Sequence, residues 1–172
     1  MNNILNNILN TIQNTIQKKI INPLYNYYYS INYYNIELQR LTSDAYVPRK
    51  GSEYSAGYDL YSPIDEQIES GERKLIKLNI SISIPRHYYG RIAPRSGLSL
   101  KGIDIGGGVV DSDYTGNVGV IIINNSPNVF TIEKGNRIAQ LIIEKVANSN
   151  LVIVNSLQDT ERSSNGFGST GI

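Results

Sequence analysis

Hydrophobic and polar positions follow two rhythms along this chain. Near its start, Ile4, Ile8, Ile12, Ile16 and Ile20 recur every four residues, with Leu5 and Leu9 beside them. That spacing lines one face of a helix and leaves asparagine, threonine and glutamine elsewhere. Asparagine is a poor residue inside a helix, so the element is marginal by itself. Further on, the period becomes two. Ile76, Leu78, Ile80, Ile82 and Ile84 alternate with Lys77, Asn79, Ser81 and Ser83, predicting one long strand with a single buried face, ended by Pro85. More strands are predicted at 37–41, 88–93, 118–124, 137–142 and 151–155. Glycines at 106–108 and the polar group at 124–127 punctuate them. No span after residue 36 keeps a 3.6-residue period. The body is therefore predicted to be all-β, a sandwich or barrel, with at most one short helix around Ile103 or elsewhere.

Composition fixes the boundary between the rhythms. The first 36 residues hold ten asparagines and six tyrosines, Lys18 and Lys19 are their only charged side chains, and no glycine precedes Gly51. The chain divides into a leader, 1–35, helical or disordered, and a body, 36–172, with a C-terminal arm at 160–172. Two readings of the leader stand: a helix that docks on a partner or a membrane surface, or a tail that reflects coding bias. It lacks the arginine-rich face of a transit peptide and the cleavage pattern of a secretory signal. The expected location is intracellular, cytoplasmic or nuclear, and not secreted.

Charge and rare residues then exclude classes of function. Sixteen basic residues against fifteen acidic ones, a net charge of +1, do not describe a non-specific nucleic-acid binder. With no cysteine there is no disulfide scaffold, thiolate nucleophile or cysteine zinc site. A single histidine, His87, excludes a histidine-clustered metal centre and leaves serine–histidine hydrolysis resting on one residue. Any metal would be hard and oxygen-bound, such as Mg²⁺. No apolar run reaches the ~18 residues that span a bilayer.

Several short segments have chemical potential. In Asp111-Ser112-Asp113-Tyr114-Thr115, two carboxylates two residues apart share one side of a strand, suited to a metal or to polarising a water. Ordinary turn chemistry before Gly116-Asn117 is the competing reading. The Asp-x-Asp-x-Thr pattern resembles that of haloacid-dehalogenase-like phosphotransferases, but no crossover helix follows and the match is accidental. Gly166-Phe167-Gly168-Ser169-Thr170-Gly171 frees backbone N–H groups to face an anion, with a phenylalanine placed to stack on a base. A flexible polar terminus is its alternative. Arg95-Ser96-Gly97 offers a guanidinium fork and a hydroxyl at a strand end. In Arg137-Ile138-Ala139-Gln140, alternation puts Gln140 on the side of Ile138, where a buried amide needs partners.

Taken in order, these segments carry a resemblance. They are Ala56-Gly57-Tyr58-Asp59-Leu60-Tyr61-Ser62, Ala93-Pro94-Arg95-Ser96-Gly97-Leu98, the run from Gly106 through Asp111 and Tyr114 to Val120, Gly135-Asn136-Arg137-Ile138-Ala139-Gln140-Leu141-Ile142, and Thr160 to Gly171. The set closely resembles the five ordered motifs of the trimeric deoxyuridine triphosphatase (dUTPase) family, over about residues 36 to 172. The resemblance implies a distorted jelly-roll (β-clip) domain, a homotrimer with active sites shared between subunits, and Mg²⁺-assisted hydrolysis of dUTP to dUMP and pyrophosphate. That reaction limits uracil incorporation into DNA and supplies dUMP for dTMP synthesis.

The same resemblance assigns roles. Asp111 is the carboxylate that activates the attacking water. Tyr114 packs beneath the deoxyribose and clashes with a 2′-hydroxyl. The backbone around Gly108, Val109 and Val110 reads uracil. Arg95, Ser96 and Gly97 contact phosphate, and Gln140 adds a polar contact. Asp59 helps hold hydrated Mg²⁺ indirectly, through water, the ion being bound mainly by the triphosphate. Phe167 stacks on uracil, with Arg162, Gly168, Ser169 and Thr170 clasping the phosphates. Because strict alternation sets Asp111 and Tyr114 on opposite sides, a bend or bulge is expected between them. Gly107 and Asn136 depart from residues frequent in the family, alanine and aspartate, at positions outside the presumed catalytic groups. Two alternatives stand beside the hydrolase: a dCTP deaminase of related fold, and a module that binds nucleotide without turnover.

Overall fold

A computed structural model of the chain describes residues 2–24, 34–160 and 163. The leader begins with helix α1, Asn2–Ile16, which runs on into a π-helical turn at Gln17–Ile21. Leu9, Ile12, Ile16 and Ile20 all stay exposed on it.

The body is built from strands, as its two-residue period predicts. They are β1 (Glu37–Arg40), β2 (Arg49–Lys50), β3 (Gly57–Tyr61), β4 (Glu66–Ile68), β5 (Arg73–Lys77) and β6 (Ile80–Ser83). After these come β7 (Tyr88–Ala93), β8 (Ile103–Gly106), β9 (Val109–Val110), β10 (Gly119–Asn124), β11 (Phe130–Ile132) and β12 (Arg137–Lys145). Among the described residues every pairing is antiparallel, in four sheets ordered β1-β6, β5-β10-β8, β11-β4 and β2-β3-β12-β7-β9. The inward faces meet in one apolar cluster that includes Leu60, Ile68, Ile76, Ile122, Ile132 and Ile138. Asn124 is buried among these strands with its amide satisfied: Nδ2 donates to the carbonyls of Ile68 and Asn128, and Oδ1 accepts from Ser126.

Four sequence expectations change or become definite. The run 76–84 is two strands, because Asn79 takes a left-handed backbone, φ 60°, and turns the chain between β5 and β6. The short helix α2 lies at Ser96–Ser99, and Ile103 instead opens β8. Residues 151–155 form no strand: Leu151 and Ile153 are fully exposed, and alternation alone makes no ladder where no edge accepts it. The fourth concerns β12. Its register against β3 shifts between Arg137 and Ala139, so Ile138 and Ala139 are both buried. This bulge puts Gln140 opposite Asp59 and Arg137 opposite Tyr61, and Asp59 and Tyr61 share one face of β3. Gln140 therefore lies with Arg137 rather than with Ile138.

Candidate active site

Strand β7 organises the chemistry. At its C-terminal end the chain leaves the sheet at Pro94 and Arg95 before entering α2. The Arg95 Nε donates to Asp59 Oδ1 at 2.9 Å, while Arg137 Nη1 donates to Asp59 Oδ2 at 3.2 Å. Gln140 Nε2 donates to the carbonyl of Pro94 at 3.0 Å. Asp59, from β3, is thus a largely buried carboxylate between two guanidinium groups that retain outward N–H donors. Ser96 and Gly97 are exposed beside them, on the first turn of α2. The cluster has a net positive charge, with the donors an anion needs.

At the other end of β7 lies a different kind of surface. Val110 pairs with Gly90 and Val109 with Arg91, so Asp111 comes to stand beside the start of β7. The approach of this segment is close. Ile92 N–H donates to the carbonyl of Gly108 at 2.7 Å, and a Cβ on Gly108 would sit 2.2 Å from Ile92 O. Any side chain there would push the hairpin off β7. After Val110 the chain turns, with Tyr114 N–H donating to Asp111 O at 3.1 Å. The expected bend is present. It removes the straight-strand argument for a carboxylate pair, because Asp111 opens a turn and Asp113 lies within it.

The turn brings Asp111 and Tyr114 to one cavity of about 220 Å³, whose walls include Ile92, Val110 and Asn117. A larger cleft of about 950 Å³ adjoins it, lined by Asp111, Asp113, Arg86, His87 and Tyr89 among others. Asp111 is exposed, and its carboxylate has no hydrogen-bond partner among the described residues. The imidazole of His87 is likewise bonded to no serine there, so the serine–histidine scheme finds no support. Below Tyr89, the Glu144 carboxylate accepts from Arg91 and from the Tyr89 hydroxyl. Those bonds, Arg91 first, hold the Glu144 carboxyl below the usual carboxylate range. Its contribution to stability is therefore full at neutral pH and is lost as pH falls through that lowered range.

The two groups are far apart. Tyr89, beside Asp111, and Arg95 are separated by six residues of mainly extended chain, roughly 20 Å at about 3.3 Å per residue. Each group could serve as half of a site. Arg162, Phe167, Gly168, Ser169 and Thr170 lie outside the described residues. The sequence assigns Arg137 no role of its own; its place on Asp59 depends on the bulge in β12, which no alternation pattern reveals.

Comparison with known proteins shows what the chain as a whole is similar to. A family model described as dUTPase matches residues 43–171. The deoxyuridine 5′-triphosphate nucleotidohydrolase of Variola virus is 58% identical over 131 residues, covering 76% of this chain and 89% of that protein. The Vaccinia virus (strain Copenhagen) protein of the same name is 57% identical over the same length. Among solved structures, the Staphylococcus bacteriophage 80alpha dUTPase with dUpNHpp aligns with a TM-score of 0.76 at 30% identity, over 81% of this chain and all of that one. The dUTPase of phage phi11, a structure concerned with coordination of a structural Mg(II) ion, aligns at 0.68 and 26% identity, over 73% of this chain and all of that one.

Proposed function

This chain belongs to the dUTPase family, and we propose that its two half-sites meet across subunits to carry out the family's reaction. The protein hydrolyses dUTP to dUMP and pyrophosphate, on a β-clip jelly-roll body. The trimeric architecture of the family supplies the neighbouring copies. The observation that carries the proposal is the separation of Asp111 from Arg95 along β7, roughly 20 Å by strand geometry. One chain presents Asp111, Tyr114 and the backbone of 108–110; a second presents Arg95, Ser96, Gly97 and Gln140, steadied by Asp59. The third chain's arm, with Arg162, Phe167, Gly168, Ser169 and Thr170, closes over the nucleotide. The exposed apolar residues Leu151, Val152, Ile153 and Leu157 are a further surface that such an assembly would cover.

In the step itself, a water positioned by Asp111 attacks the α-phosphorus. The new O–P bond forms as the α–β bridge bond breaks, pyrophosphate leaves with the bonding pair, and the water's proton passes to the Asp111 carboxylate. Arg95 and Ser96 hold the phosphates in line, and the guanidinium charge favours the transition state. Tyr114 forms the floor under the sugar, where a 2′-hydroxyl would meet the ring.

Mg²⁺ dependence is typical of the family. The donor set fits an ion bound mainly by the triphosphate. No cluster of three or more histidine, cysteine or acidic side chains exists among the described residues, and both oxygens of Asp59 already accept from arginines. Asp59 is thus suited to contact the ion's hydration shell rather than the ion. When bound, the ion offsets the triphosphate charge that would repel the attacking water.

The leader, 1–35, lies outside the stretch matched by the family model and we assign it no part in the chemistry. Among the described residues no helix is long and apolar enough to cross a membrane. A place inside the cell, in cytoplasm or nucleus, suits work on the nucleotide pool.

Pyrophosphate release should be rapid with dUTP and Mg²⁺, and at least about 10²-fold slower with UTP, dCTP or dTTP. Ammonia formed from dCTP would instead indicate the deaminase, and tight dUTP binding without pyrophosphate the noncatalytic module.

A further inference from the structure

The sugar-discriminating tyrosine is held by a device outside its cavity. Leu78, Asn79, Ile80 and Ser81 grip the segment from Thr115 to Val118 through five hydrogen bonds. Leu78 N–H donates to Val118 O and Val118 N–H to Ile80 O, at 2.9 and 2.8 Å, and the Ser81 hydroxyl donates to Thr115 O at 2.7 Å. The other two form a closed ring. Asn79 N–H donates to Asn117 Oδ1 at 3.0 Å, and Asn117 Nδ2 donates to Asn79 Oδ1 at 3.2 Å. A backbone N–H can only donate, so the orientation of both amides is fixed by that first bond.

Asn79 occupies a position that glycine suits better. Its φ of 60° lies in the left-handed region, where most side chains are strained and asparagine is among the few tolerated. Glycine would meet the backbone requirement but would leave Asn117 Nδ2 without its partner. The segment so gripped determines where the Tyr114 ring lies. Tyr114 Oη donates to Asn117 O at 3.0 Å, and a Cβ on Gly116 would fall 2.6 Å from that same Oη. Tyr114 and Asn117 line the cavity that also holds Asp111, whereas Asn79 is not part of its wall.

We propose that Asn79 is a positioning residue for sugar selection: through Asn117 it fixes the height of the Tyr114 ring, and with it the enzyme's preference for dUTP over UTP. This rests on Tyr114 being the floor under the deoxyribose. A ring free to sink would admit the 2′-hydroxyl, while Asp111 and the phosphate contacts would be untouched.

The test compares kcat/KM for dUTP and for UTP, with the melting temperature, in the unaltered chain and in three variants. Asn79→Gly keeps the backbone and removes the acceptor; its dUTP turnover should stay within about twofold, while the dUTP-to-UTP ratio falls about tenfold. Asn79→Asp restores an acceptor and should restore the ratio, which a merely structural role would not require. Tyr114→Ala should collapse the ratio further. If Tyr114→Ala collapses it and Asn79→Gly, still folded by its melt, leaves it unchanged, the positioning role is overturned. If Tyr114→Ala itself leaves the ratio intact, the sugar-floor assignment fails first and the proposal with it.

Discussion

Replacing Asp111 with asparagine is expected to lower kcat for dUTP by about 10³-fold while KM changes by no more than a few-fold. Asparagine keeps the shape of aspartate and its hydrogen-bonding reach, but its amide cannot take a proton at neutral pH. Only the step in which water loses its proton should suffer. Nothing else should move, because the Asp111 side chain is exposed and has no hydrogen-bond partner among the described residues. Melting temperature should therefore be unchanged, which separates a catalytic loss from a folding one. Steady-state kinetics on both forms, with thermal melts alongside, checks the prediction. Full turnover by the variant would remove Asp111 as the base.

Deleting residues 162–172 should have the next largest effect, a loss of about 10²-fold in kcat/KM drawn from both constants. The deletion removes the Phe167 ring proposed to stack on uracil and the donors proposed for the phosphates, so the nucleotide binds less well. It also leaves the reacting phosphorus open to bulk water, which weakens every charge–charge interaction there. Stability should hold, since the apolar cluster that supports the fold draws on residues between Ala45 and Leu141. Kinetics with a melt of the truncated chain decides it. Turnover equal to that of the full chain would mean that the arm does not close over the site.

These expectations began in the sequence, and some of its patterns translate directly into structure. The strand predicted at 88–93 becomes β7 with the same bounds, between Pro85 and Pro94. Alternation fails where one residue leaves the extended conformation. The run 76–84 reads as a single strand because hydrophobic period carries no record of φ, and the left-handed Asn79 breaks it. The bulge at Ile138 likewise reverses the side on which Gln140 emerges. In contrast, the turn between Asp111 and Tyr114 was foreseeable, since the roles the resemblance implies would have both residues face one nucleotide and a straight strand forbids it.

Two parts of the site lay beyond the sequence for another reason. Asn79 and Asn117 bond to each other across 38 positions, and Arg137 and Asp59 across 78. Neither pair leaves a local signature. The sharing of the site between chains entered only through the order of the five motifs. The observation that prompts the proposed sharing is that β9 lies along β7, so that Asp111 and Arg95 fall at opposite ends of one strand.

Mixing two disabled chains tests that central claim most directly. Asp111→Asn lacks the base and Arg95→Ala lacks the phosphate contact, so each alone should release almost no pyrophosphate from dUTP. Co-expressed in equal amounts with different tags and isolated as mixed trimers, they should regain about a third of the sites, because in each mixed ring of three one site draws its intact base and its intact arginine from separate chains. Activity no greater than the sum of the two parents would contradict the account, placing Asp111 and Arg95 at the same nucleotide on one chain.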